Sequence, residues 1–77
     1  MPGLEIVVYT RPGCHLCDEA KAMLESYGLT VRTIDIDGDP QLAERYDECV
    51  PVVFVDGRER FRGRIDPVLL RRLLNRR

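Results

Sequence analysis

The stretch Thr10-Arg11-Pro12-Gly13-Cys14-His15-Leu16-Cys17 decides how this chain is read. Before it, Leu4-Glu5-Ile6-Val7-Val8-Tyr9 is mostly apolar and rich in β-branched residues, the pattern of a buried strand. Thr10-Arg11-Pro12-Gly13 breaks that strand. After it, Leu16, Ala20, Met23, Leu24 and Tyr27 recur at helical spacing. They predict a helix from about Cys14 to Tyr27, with Gly28 as its stop. The two cysteines thus sit where a strand hands over to a helix N-terminus. Unpaired N–H groups and the helix dipole favour negative charge there, and so a thiolate at Cys14. Cys17 lies one turn on, on the same side of the helix and nearer its apolar face, so the pair can close a short disulfide. Cys14 is the expected nucleophile and Cys17 the resolving thiol. Arg11 and His15 favour the thiolate, whereas Asp18 and Glu19 oppose it.

The rest of the chain supplies alternating elements. Thr30 to Ile36 is a strand whose imperfect alternation suits a sheet edge. Asp37-Gly38-Asp39-Pro40 is a loop, with Asp39 as N-cap and Pro40 as first residue of a short helix ending near Tyr46. Pro51 to Val55 is the next strand. Asp56-Gly57 is a two-residue hairpin turn, and Arg58 to Arg62 returns as a polar edge strand. Asp66-Pro67 starts a last helix, with Leu69, Leu70, Leu73 and Leu74 on one face. The order is β-α-β-α-β-β-α. The first β-α-β is expected to be a parallel crossover and the last two strands an antiparallel pair.

Composition narrows the function classes. Seventy-seven residues make a single domain spanning 1–77, with 44% hydrophobic and 32% charged residues, an ordinary globular balance. No apolar run approaches the roughly 20 residues that cross a bilayer. Met1-Pro2-Gly3 lacks the features of a secretory leader, so a cytoplasmic location is expected. Net charge is −1, but residues 1–56 sum to −7 and residues 57–77 to +6. The basic segment has Phe61 as its only aromatic residue, which argues against nucleic-acid binding. It reads as a solvated face balancing the acidic part, with no membrane role and a monomeric chain expected.

Three cysteines, Cys14, Cys17 and Cys49, are an odd set that does not suit a secreted disulfide framework. A competing reading is a zinc or iron–sulfur module built on Cys14, Cys17 and Cys49, with His15 as a fourth zinc donor. Structural zinc sites usually bring a second close ligand pair, and Cys49 stands alone. No metal is therefore assigned. A third reading is a redox-inert peptide-binding domain with an ordinary Cys14 thiol.

By its motifs the chain resembles the thioredoxin superfamily, and most of all its glutaredoxin-like branch. The likeness rests on Tyr9 to Cys17, on Val50-Pro51-Val52-Val53-Phe54-Val55-Asp56-Gly57, and on the element order. It implies a thioredoxin-like α/β fold, with a four-stranded mixed sheet flanked by three helices. It implies a disulfide oxidoreductase without a permanently bound cofactor, acting on disulfide-containing proteins or glutathione mixed disulfides. It implies that Pro51 is the superfamily's cis-proline and that the backbone of Val50 pairs with a bound peptide or glutathione. It also implies that Arg11 meets the Cys14 thiolate and a glutathione carboxylate, and that Gly63 and Asp66 belong to the same binding surface as His15.

The chain departs from the glutaredoxin pattern at several positions. Cys-His-Leu-Cys stands where C-P-Y-C is usual, and Cys49 where threonine is usual. Arg62 replaces a glycine and Ile65 an aspartate. The region also resembles the glutaredoxin-like hydrogen donors of ribonucleotide reductase, so either glutathione or a thioredoxin-type reductase is the expected electron source. Cys49 reads as a small buried loop residue or as a third redox thiol.

Overall fold

The alternation of the first strand sets up the layers. Ile6 and Val8 face one side of the sheet and Val7 and Tyr9 the other, as a pleated strand requires. The computed structural model describes residues 4–47 and 49–75. Met1-Pro2-Gly3 and the terminal Arg76 and Arg77 of the basic segment lie outside the described residues.

The elements are β1 (Ile6–Thr10), α1 (His15–Ser26), β2 (Val31–Asp35), α2 (Pro40–Tyr46), β3 (Val52–Val55), β4 (Arg58–Arg62) and α3 (Pro67–Asn75). The strand order is β2-β1-β3-β4. β2 runs parallel to β1, from Ile6 opposite Val31 to Thr10 opposite Asp35. β3 runs antiparallel to β1, with Tyr9 opposite Val52, and β4 runs antiparallel to β3. Asp56 and Gly57 form the hairpin turn with φ of 52° and 84°, the left-handed values such a turn demands.

One face of the sheet packs on α1 and α3 through Ile6, Val8, Ala20, Leu24, Val53 and Leu70. The other packs on α2 through Ile36, Tyr46 and Val52. Tyr9 lies tilted against Tyr46 and Phe54, each ring centroid 5.1 Å away.

Three expectations need correction. β2 ends at Asp35 rather than Ile36. Ile36–Gly38 is a 3₁₀ turn, started by Asp35, whose carboxylate accepts from the Asp37 N–H at 2.9 Å. That turn buries Ile36 fully against α2 and β3. Tyr27 is exposed, because it is the C-terminal cap of α1 rather than part of its packed face. Leu69 is 47% exposed, since it lies toward β4, the edge strand of the sheet among the described residues. The Asp39 cap and Pro40 start of α2 are as read, with the Gln41 N–H donating to Asp39 at 2.9 Å.

Candidate functional site

The register gathers the functional loops at one end of the sheet. Tyr9 pairs with Val52, and Val52 pairs with Arg62. The chain leaving β1 toward Cys14, the chain entering β3 from Pro51, and the chain leaving β4 toward Gly63 therefore share an edge of the molecule.

Arg11-Pro12-Gly13-Cys14 is a tight turn in which the Cys14 N–H donates to the Arg11 carbonyl at 3.1 Å. Proline suits its second position, and Gly13, at φ 79°, supplies the left-handed third position. The turn delivers Cys14 as the N-cap of α1 with extended backbone. Its Sγ accepts the Cys17 N–H at 3.1 Å, where serine or aspartate oxygen usually stands. Cys14 and Cys17 are joined in a disulfide with Cα atoms 5.2 Å apart. Cys17 is 3% exposed, whereas Cys14 is half-buried. Cys14 is thus the more exposed of the pair, at the dipole's positive end, and Cys17 is the buried one.

The Arg11 side chain is engaged by two aspartates. Its Nε donates to Asp37 at 3.0 Å, and its Nη1 donates to the Asp47 carbonyl at 2.6 Å and to the Asp47 carboxylate at 3.3 Å. The hydrogen bond to Asp37 does most to raise the Arg11 pKa above the ordinary arginine value; desolvation opposes this, and Asp47 and the carboxylate charges add to the rise. His15 is 87% exposed and pairs through Nε2 with Glu19 at 2.9 Å.

The Val50–Pro51 peptide is cis, and Pro51 is buried. The Pro51 carbonyl accepts the Gly63 N–H at 2.7 Å, which ties the loop after β4 to the loop before β3. Asp66 caps α3, accepting the Val68 N–H at 2.8 Å and the Leu69 N–H at 3.4 Å. Ile65 is buried in the core. Cys49 is half-buried, its N–H donating to the Tyr46 carbonyl at 2.8 Å. The Arg62 Nη1 lies 3.6 Å from the Cys49 sulfur.

Sequence reasoning missed the clip that holds Arg62. Glu59 accepts from its Nη2 at 2.8 Å and its Nε at 3.1 Å, and the guanidinium lies 5.9 Å from the centre of the Tyr46 ring. Residues three apart in a regular strand point to opposite faces. Here Val53 stands opposite Phe61 and Phe54 opposite Glu59, so Arg60 is an extra residue on β4. The bulge brings Glu59 and Arg62 to one face, and nothing in the local sequence announces it.

Among the described residues, no group of three or more His, Cys, Asp or Glu side chains is placed to hold a metal ion. Cys49 lies beside Arg62, and Cys14 and Cys17 are bonded to each other. No helix of the described residues is long and apolar enough to cross a membrane.

Comparison with known proteins agrees with this geometry. The family model described as Glutaredoxin-like domain (DUF836) matches residues 5–75. A glutaredoxin-like protein of Dictyostelium discoideum is 33% identical over 73 residues, which cover 82% of this chain and 68% of that one. A solution NMR structure of a Nitrosomonas europaea protein superposes with a TM-score of 0.83 at 31% identity, covering 96% of this chain and 94% of that one. The holo form of glutaredoxin C1 from a Populus hybrid superposes with a TM-score of 0.66 at 24% identity, covering 91% and 75%, a likeness of fold alone. The architecture is the thioredoxin-like α/β fold.

Proposed function

We propose that this chain, which belongs to the glutaredoxin-like domain family, is a thiol–disulfide oxidoreductase working through Cys14 and Cys17. The observation that carries the proposal is the placement of Cys14. It is the N-cap of α1, it accepts the Cys17 N–H, and it is bonded to a buried Cys17.

In the reduced protein, the helix N-terminus stabilises the Cys14 thiolate. That thiolate attacks one sulfur of a substrate disulfide. A Cys14–substrate disulfide forms, and the other substrate sulfur leaves as a thiolate and takes a proton. The Cys17 thiol then loses its proton and attacks Cys14. The second substrate sulfur leaves, the Cys14–Cys17 disulfide closes, and two electrons have passed to the substrate. A thiol donor returns the protein to the dithiol state.

Substrates are disulfide-containing proteins, with the Val50 backbone pairing with an extended substrate segment. No cofactor is permanently bound, and the chain works as a monomer in the reducing cytoplasm. Glutathione and a thioredoxin-type reductase are the candidate electron sources. The commitments of Arg11 to two aspartates, of Asp66 to the α3 cap and of Ile65 to the core favour the reductase. Two side chains implied for glutathione, Arg11 and Asp66, are engaged elsewhere, and Ile65 offers no carboxylate.

The test is disulfide reductase activity driven by a dithiol, together with equilibration in glutathione buffers read by mass spectrometry. Cys14→Ser is expected to abolish turnover, and the wild type to settle as the intramolecular disulfide with little glutathione adduct. Full activity in Cys14→Ser would sink the proposal. A dominant adduct on Cys14 would assign glutathione as the donor.

A further inference from the structure

A separate groove runs between β4 and α3. Leu69 shares the apolar face of α3 with Leu70 and Leu73, yet it is 47% exposed, and neighbouring Val68 is 49% exposed. Among the described residues β4 is the edge strand of the sheet, and no further strand covers this flank of the helix. Between the two elements lies a cavity of about 240 Å³ lined by Arg60, Phe61, Leu69, Arg72 and Leu73.

Consecutive strand residues normally point to opposite faces. Arg60 and Phe61 line the same cavity because Arg60 is the extra residue of the β4 bulge. The groove therefore has an apolar floor with an arginine from each wall, and among the described residues no acidic side chain lines it. Among the described residues, neither Arg60 nor Arg72 has an ion-pair partner. The acids nearby in sequence are already engaged, Glu59 with Arg62 and Asp66 with the start of α3.

We propose that this groove docks an acidic amphipathic segment of a partner protein. An apolar side chain of the partner seats against Leu69 and Leu73, above the largely buried Phe61, and flanking carboxylates pair with Arg60 and Arg72. The unanswered positive charge selects the sign of the partner, because a basic segment would be repelled and a neutral one would leave both guanidinium groups unpaired. The apolar floor selects a protein over nucleic acid. Phe61 is 6% exposed and offers no ring face on which a base could stack.

The experiment is an NMR titration of the full chain, labelled with ¹⁵N, with a synthetic amphipathic helical peptide. The peptide carries leucines on one face and glutamates beside them. Saturable shifts are expected at the amides of Arg60, Phe61, Leu69, Arg72 and Leu73, in both oxidised and reduced protein. The Arg60→Glu/Arg72→Glu double variant should weaken binding by about tenfold or more. Leu69→Ser, at an exposed position that the fold does not need, should weaken it as well. The proposal is overturned by the absence of saturable shifts, by shifts confined to other residues, or by equal binding of the same peptide with lysine for glutamate. It is also overturned if single-stranded RNA or phosphatidylserine vesicles bind the groove more tightly. Concentration-dependent shifts at these amides without peptide would assign the groove to a second copy of the chain and overturn it equally.

Discussion

The guanidinium of Arg11 donates to the main-chain carbonyl of Asp47 across 2.6 Å, while its Nε holds Asp37 at 3.0 Å. One side chain thus joins the turn that delivers Cys14 to the segment after β2 and to the loop leading to Cys49, Val50 and Pro51. Arg11→Ala should loosen that loop and lower kcat/KM for protein disulfides by about tenfold, mainly through KM, because the substrate-pairing backbone loses its position. Arg11→Lys should rescue only part, since an ammonium cannot span both partners with a fixed fork. Steady-state kinetics of both variants check this, and unchanged KM in Arg11→Ala would refute the positioning role.

The N-cap placement of Cys14 predicts its ionisation. In Cys17→Ser, alkylation of Cys14 should titrate with a midpoint below the roughly 8.5 of a free thiol. The same variant should accumulate a stable mixed disulfide with a substrate protein, because no resolving sulfur remains. Mass spectrometry reads both, and a midpoint at the free value would support a redox-inert domain instead.

Glu59 carries the pH dependence that can be read from the surface. The hydrogen bond from Arg62 holds its carboxyl below the ordinary carboxylate value; desolvation opposes this, and the charges of Arg62 and Arg45 add to the lowering. A folded-state pKa below the unfolded one contributes stability above the unfolded pKa, and that contribution is lost as pH falls through the folded pKa. Glu59→Gln should therefore lower the urea midpoint slightly at pH 7, the exposed pair being screened by solvent. Below the folded pKa the two proteins should coincide. A constant difference at all pH values would contradict the linkage.

Asp66 separates a structural from a ligand-binding role. Its carboxylate caps α3. Asp66→Ala should cost about 1 kcal/mol, and Asp66→Asn much less, because an amide oxygen also caps. Thermal unfolding measures this, and glutathione-dependent activity unchanged in Asp66→Asn would confirm that the charge is not used on a substrate.

Leu24 is fully buried between α1 and the sheet. Leu24→Ala should cost about 2–5 kcal/mol. A domain of this size has a total stability on the order of 5 kcal/mol, so the reduced variant should be close to unfolding at 37 °C. Circular dichroism with and without reductant would show it.

The hydrophobic spacing of Leu16 to Leu24, the β-branched runs, and the Asp-Pro and Asp-Gly pairs determined the elements and their order, because caps, turns and periodicity are local properties of the chain. The same local logic placed Cys14 at the helix start and Cys17 behind it. The tertiary structure alone decided what the charged side chains do. Arg11 answers Asp37 and Asp47, 26 and 36 residues away in the chain, and only the folded register brings those loops together. The bulge at Arg60 depends on how β4 pairs with β3, yet it decides that Glu59 grips Arg62 and that Arg60 turns toward α3. Whether Leu69 is covered depends on which strand forms the sheet edge beside α3, and helical periodicity carries no information about strand order.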